Sequence, residues 1–277
     1  MEYKSVAYIK KAVLIMITVG GLFLILIPLI WLFLISIKSP LEAFSPKSFW
    51  VFTPTLRNYF DAISNPSIRK YFFNSFVVAS LSLAASMIIG VPAAFVFSKL
   101  RSRFKNFLLV YIILARMIPP MIFIIPYFIL YQRLNLINTR IGLAIVYTNF
   151  NVALVVWSMW TFFNEVPQDL LEVARIDGAS IYQIFYRIFL PLSTPGLTTT
   201  AIIVFLMSWN EFLFALILTR GATKTIPVGI IDLISYEGVN WGLVSSGAVL
   251  MLLPMLLFAY LSRKYIVKGL LGGALKG

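Results

Sequence analysis

The sequence predicts an all-α integral membrane protein with six transmembrane helices. Three observations carry this. Of the 277 residues, 60% are hydrophobic and 12% are charged, against about 45–50% and about 25% in a soluble globular chain. The apolar residues gather into six long runs. Lys and Arg sit mainly at the ends of those runs, where membrane flanks carry them.

A membrane helix needs about 20 mostly apolar residues. The first run, residues 12–37, follows MEYKSVAYIKK. It is longer than the roughly 7–15 residues of a signal-peptide core, and no small-residue cleavage site closes it. It is therefore expected to persist as an extra N-terminal helix. The segment from Lys38 to Tyr71 is long and proline-bearing, and predicts an ordered cap or short helices. Further runs cover 72–98, 107–131, 141–163, 196–219 and 241–261. A core over 71–263 within one 1–277 membrane domain follows, with a C-terminal tail over 264–277. Pro28, Pro92, Pro119, Pro120, Pro126 and Pro254 fall inside the runs. Proline removes a donor and kinks a helix, so bent helices around a cavity are expected.

Orientation follows from the basic residues. With the N-terminus inside, 13 Lys and Arg fall on the cytoplasmic side and 9 outside. The deciding segment is Lys99–Asn106, which carries Lys99, Arg101, Arg103 and Lys105 and no acid. An even number of spans then puts both termini in the cytoplasm. The net charge of +13 is explained by these flanks, so nucleic acid is not an expected partner. The chain has no Cys and no His. Thiolate metal sites, common zinc sites and a Ser-His-Asp triad are excluded, and no metal site is expected.

One polar stretch stands apart. Residues 164–195 hold Glu165, Asp169, Glu172 and Asp177 in an otherwise basic chain. Leu170, Leu171, Ala174 and Ile176 suggest a short helix, and Asp177-Gly178 signals a turn. Ser180 can cap a second helix, with Ile181, Ile184, Phe185, Ile188 and Phe189 at helical spacing. Pro191 and Pro195 close it. An amphipathic interfacial helix would share this shape.

The residue pattern is more specific than the shape. Glu172-Val173-Ala174, then Asp177-Gly178-Ala179, Phe185, Ile188, Leu190 and Pro191 resemble the EAA loop of binding-protein-dependent ABC importers, with Val173 where the family has Ala. Asn58-Tyr59, Asn74-Ser75, Met117-Ile118-Pro119-Pro120, Trp209-Asn210-Glu211-Phe212 and the ending from Gly269 to Gly277 resemble the carbohydrate-uptake, maltose-permease-like branch. The resemblance implies a type I importer permease in a prokaryotic cell membrane, with 164–195 as a cytoplasmic coupling loop. It implies that Glu172, Ala174, Asp177, Gly178, Ala179, Ser180, Phe185, Ile188, Leu190 and Pro191 form the ATPase-coupling set. It also implies a second permease subunit, two cytoplasmic ATP-binding subunits and an extracytoplasmic solute-binding protein. No G-x-x-x-x-G-K-[ST] loop is present, so no cofactor is expected in this chain. ATP and Mg would be bound by the partner subunits.

Ionisable groups inside a bilayer are functional candidates. Arg116 lies within the third run and Glu211 within the fifth. They either pair structurally or face a polar path. A sugar path needs polar groups that match hydroxyls, together with flat aromatic surfaces. Asn149, Asn151 and Trp157, and Trp209 with Asn210, offer both. Alternatives are another importer branch (glycerol phosphate, polyamine or peptide), a secondary transporter or channel, and a membrane-embedded enzyme.

Overall fold

The computed structural model describes residues 2–45, 48, 50–99, 103–235 and 238–274. Helices dominate, in the order α1 (Glu2–Ser36), α2 (Pro40–Phe44), α3 (Arg57–Ser64), α4 (Pro66–Lys99) and α5 (Arg103–Met117). A 3₁₀ turn (Pro120–Phe123) leads into α6 (Ile124–Arg133), α7 (Arg140–Glu165) and α8 (Gln168–Ile176). Next come α9 (Ile181–Ile184), a π-helical turn (Phe185–Phe189), α10 (Leu190–Leu192), α11 (Thr194–Trp209) and α12 (Leu213–Leu218). The chain ends with α13 (Ile226–Gly229) and α14 (Trp241–Ala274). The pairing of β1 (Ile234–Ser235) with β2 (Gly238–Val239) is a small antiparallel addition. Arg101 of the basic segment and residues 275–277 of the tail lie outside the described residues.

Among the described residues, four helices are long and apolar enough to cross a membrane: Val13–Ser36, Pro66–Lys99, Arg140–Glu165 and Trp241–Leu261. Two bent pairs bring the total to six if each is one span. Two of the expected runs are broken, the first where its prolines predict a bend. The run 107–131 is not one helix. It bends by 83° between Phe104–Met117 and Pro120–Arg133, because Pro119 and Pro120 cannot donate to the helix ladder. The run 196–219 is likewise broken at 210–212, and α11 alone spans roughly 24 Å at 1.5 Å per residue. Its membrane-length partner lies on the other side, since Ile181–Leu192 and Thr194–Trp209 form a pair bent by 76°.

The backbone divides into two compact units, Met1–Ile68 with Ile230–Leu252, and Arg69–Gly229 with Leu253–Gly277. In the first, Asn58 is the fastening residue. Its buried side-chain amide donates to the carbonyls of Ser36 at 2.9 Å and Lys38 at 2.8 Å. Its own backbone carbonyl accepts from the Ser246 hydroxyl. Gly242 leaves the space this needs, because a Cβ there would lie 2.5 Å from the Asn58 amide nitrogen. The short helix α2 is set by a capping box between Ser39 and Glu42. The Ser39 hydroxyl and the Thr53 N–H hold the Glu42 carboxyl below its ordinary pKa. A depressed carboxylate stabilises above its unfolded pKa and loses that contribution as pH falls through its folded value. Order in α2 is therefore expected to weaken under acid conditions, which amide exchange across residues 39–45 would report.

In the second unit, α4, α7 and α11 surround an apolar core of Val91, Phe95, Val155, Met159, Phe163, Phe189 and Val204. Small residues allow the approach. A Cβ on Gly90 would lie 2.7 Å from Val155, and one on Gly196 would lie 2.3 Å from the Phe162 ring. Gly196→Ala is thus expected to force Phe162 aside and lower the unfolding midpoint by several degrees, measurable in detergent. Asn74 and Ser75 also have a structural task. The Asn74 amide donates to the carbonyls of Ala222 and Lys224, its oxygen accepts from Arg140 Nε, and the Ser75 hydroxyl accepts the Ile226 N–H.

Candidate functional site

Two features of the second unit gather the predicted site residues. The first is a cavity of about 430 Å³, within the size range of small-molecule sites. Arg116, Asn151, Asn210 and Glu211 line it, together with Pro120, Tyr147, Phe150, Met207, Ser208, Leu213 and Phe214. Asn151 is buried and donates to the hydroxyls of Ser82 at 3.2 Å and Ser208 at 2.8 Å. This network ties α4, α7 and α11 together at the cavity wall. Asn210 is exposed and returns its amide to the Leu206 carbonyl. A smaller adjoining cavity holds Asn149, whose amide donates to the Tyr127 hydroxyl at 2.8 Å. Asn149 and Asn151 stand about 200° apart around α7, which sends them into different cavities. Arg116 and Phe150 line both cavities.

Two aromatic candidates do not reach either cavity. Trp209 is buried, stacked on Phe205 at 5.8 Å and set against Phe72 at 6.1 Å. It follows the packed face of α11, while its neighbour Asn210 is turned by about 100°. Trp157 is exposed and packs on Trp160. Six residues beyond Asn151, it falls on another face of α7. The aromatic surface in the cavity is instead Tyr147, Phe150 and Phe214. Spacing could have found the first two, since residues 147, 150 and 151 repeat at i, i+3 and i+4.

The pair Arg116–Glu211 is not formed. Arg116 donates to the Phe150 carbonyl at 3.3 Å and to the Met207 Sδ at 3.1 Å. The Glu211 carboxylate accepts the N–H groups of Phe214 at 2.9 Å and Ala215 at 3.2 Å. It caps α12, and this explains a helix break that contains no Pro or Gly.

The second feature is the segment over α8, α9 and α10. Gly178 has φ +76°, and the space that a Cβ would occupy there is open, so its role is conformational. The Gly178 N–H bonds the Arg175 carbonyl and the Ala179 N–H bonds that of Ala174, which is a Schellman cap. Ser180 and Gln183 then form a capping box that starts α9. Two ordered caps back to back make a stiff turn. Gly178→Val places a β-branched residue at positive φ, at a cost of roughly 1–3 kcal/mol, whereas Gly178→Asn is expected to retain the turn. Trypsin sensitivity at Arg175 would separate the two.

The residues of this segment divide into two sets. Ala174 is buried, with Leu171, Ile184, Phe185 and Phe189, and Ala179, Ile188 and Leu190 pack against the same core. Ala174 and Phe185, both members of the expected ATPase-coupling set, face this chain's own helices. The reason is the period of a short amphipathic helix: Leu171 and Ala174, at i and i+3, share the inner face. The outer face carries Glu172, Asp177, Gly178, Ser180 and Pro191. Exposed apolar residues interleave with them: Val173, Ile176 at 84% exposure, Tyr182 at 74% and Tyr186. Pro191 lacks the N–H of an α-helical bond, and the preceding turn widens to π, with the Leu190 N–H bonding the Phe185 carbonyl. The Lys99 ammonium lies 4.1 Å from the Phe189 ring, which joins the end of α4 to this turn.

Residues 86–271, which span the cavity and the capped segment, match the family model of the binding-protein-dependent transport system inner membrane component. The chain belongs to this family. The permease is 34% identical over 254 residues to a probable ABC transporter permease protein, y4oR, of Sinorhizobium fredii, covering 92% of this chain and 91% of that one. It is 33% identical over 273 residues to the trehalose/maltose transport system permease protein MalG of Thermococcus litoralis (97% and 98% covered). It is 32% identical over 276 residues to the sulfoquinovosyl glycerol transport system permease protein SmoH of Agrobacterium fabrum (99% and 94% covered). Among solved structures, the permease fold is similar to a chain of a bacterial ABC transporter involved in the import of the acidic polysaccharide alginate. The TM-score there is 0.74 at 24% identity, covering 91% of this chain and 95% of that one. An inward-facing MetNI methionine ABC transporter matches with a TM-score of 0.60 at 17% identity, covering 71% and 93%. These likenesses establish a helical importer permease fold in the membrane.

Proposed function

We propose that the permease forms one half of the translocation path for a sugar delivered by an extracytoplasmic solute-binding protein. The observation that carries this reading is the cavity, where a guanidinium, amides and hydroxyls interleave with Tyr147, Phe150 and Phe214. That mixture matches a ring with polar edges and apolar faces. Relatives aligned over nearly the whole chain are trehalose/maltose and sulfoquinovosyl glycerol permeases, which supports a carbohydrate over glycerol phosphate or a polyamine.

In this reading both termini are cytoplasmic, and the capped turn between α8 and α9 is the coupling element. Its outer apolar face, Val173, Ile176 and Tyr182, docks on one of two ATP-binding subunits, with Glu172 and Asp177 at the rim. ATP and Mg belong to those subunits. The stiff turn passes their movement through Ile184, Phe185 and Phe189 into α4, α7 and α11. A second permease subunit completes the path.

Glu211→Ala removes the α12 cap and the cavity carboxylate together. The expected result is a complex that still assembles, with uptake reduced at least about tenfold, in line with loss of a buried charged hydrogen-bonding group. Wild-type uptake of labelled sugar into proteoliposomes by that variant would contradict the cavity as the path.

A further inference from the structure

Two opposite charges line one cavity without bonding to each other. Arg116 is held by a carbonyl and a thioether, both neutral, and the thioether is a weak acceptor. Glu211 accepts from the N–H groups of Phe214 and Ala215, and the Tyr147 hydroxyl donates to its backbone carbonyl. An ion pair that does form, Arg57–Asp61 at 3.9 Å, lies elsewhere in the chain. Charges inside a membrane-spanning segment pair with one another or face a water-filled cavity. Opposite charges that share a low-dielectric space attract strongly. Their separation here goes with an open cavity of about 430 Å³.

Both residues also stand at breaks in the helices. Arg116 occupies the last turn of α5, just before the 83° bend. Glu211 lies between α11 and α12. Element ends of this kind are where hinge motions concentrate their dihedral changes. Arg116 keeps donor N–H groups beyond the two it uses.

We propose that Arg116 and Glu211 form a substrate-displaced latch across the cavity, an inference that rests on the sugar-permease reading. With the cavity empty and closed, guanidinium and carboxylate bond to each other and hold the two breaks together. A sugar replaces that bond, its hydroxyl oxygens accepting from Arg116 and a hydroxyl donating to Glu211. The two residues thus position the helix breaks and report occupancy to the capped turn through α11.

The test uses the complete complex in lipid nanodiscs, with its ATP-binding subunits, second permease and binding protein. Arg116→Gln and Glu211→Gln each remove one charge at similar shape. The exchanged variant R116E/E211R restores a pair of reversed polarity. Each single variant is expected to raise ATP hydrolysis without sugar about tenfold, and the exchange to return it to within about threefold of wild type, the scale of directly coupled residues. A purely structural role, with Glu211 only capping α12, makes the exchange worse than either single variant. That outcome, or singles with wild-type basal hydrolysis, overturns the latch. The chain has no native Cys, so R116C/E211C also allows thiol cross-linking. It should proceed faster without sugar than with it, and equal rates overturn the proposal. A wild-type complex that responds to no sugar overturns the underlying function, whereas a sugar-responsive complex without rescue overturns the latch alone.

Discussion

In the proposed docking role, Ile176→Asp is expected to leave the permease folded and inserted while releasing the ATP-binding subunits. Ile176 is 84% exposed at the end of α8, so the substitution removes no internal packing. It places a charge among the exposed apolar residues Val173, Ile176 and Tyr182, proposed above as the docking patch. Such a patch on a stiff, doubly capped turn has the character of an interface hot spot, where one residue can carry about 2 kcal/mol or more. Burying an unpaired carboxylate against a partner adds to that loss. Retention of the ATP-binding subunits during affinity purification should fall at least about thirtyfold, the equivalent of roughly 2 kcal/mol. The unfolding midpoint of the permease itself should stay unchanged. An intact complex with normal sugar-stimulated hydrolysis would contradict the docking role.

Phe189→Ala is expected to act from the other side of the same segment. Phe189 is fully buried. It sits 5.1 Å from the Phe95 ring and 6.0 Å from the Phe163 ring, with the Lys99 ammonium over its face. Truncation leaves a cavity where α4, α7 and the π turn meet. Removal of a buried Phe costs about 3–5 kcal/mol, enough to threaten a marginally stable fold. Phe189→Leu, which keeps most of the volume, should recover the larger part. The expected phenotype is a permease that binds ATP-binding subunits poorly and transports little, because its turn is no longer held against the helices. A Phe189→Ala variant with a wild-type unfolding midpoint would show that the contact is dispensable.

The two variants probe opposite faces of one short element, and only part of that element could be read in advance. Asp177-Gly178 and Ser180 announced the turn and its second cap, because αL glycine and hydroxyl caps are local chemistry. Ala174 and Phe185 could not be assigned to the inner face from local chemistry, since that depends on which neighbour covers a four- or nine-residue helix. The π turn was equally hidden: it needs Pro191 to forbid an α bond and the buried rings at 185 and 189 to hold the widened turn.

The membrane helices show the same division. The bend after Met117 was legible, because two consecutive prolines cannot continue the ladder. The break at 210–212 was not, because it is made by Glu211 turning its carboxylate onto the N–H groups of Phe214 and Ala215. The side chain that suggested a polar path thus also ends the helix. Trp209 and Asn210 are adjacent in the chain but diverge in space, so a pairing read from adjacency fails where one read at i, i+3 and i+4 succeeds. Asn58 and Asn74 were legible as motifs, and the structure gives each a fastening role through side-chain bonds to backbone carbonyls.

In the proposed role, a passive half-channel coupled through the α8–α9 turn to a separate ATP-driven motor, the permease does not move sugar by itself. Sugar uptake into proteoliposomes containing the complex purified through this chain tests that role most directly. Uptake of labelled sugar should require enclosed ATP and external binding protein together, and should vanish in the Ile176→Asp variant. Uptake that proceeds without ATP, driven by an imposed ion gradient and untouched by Ile176→Asp, would contradict it.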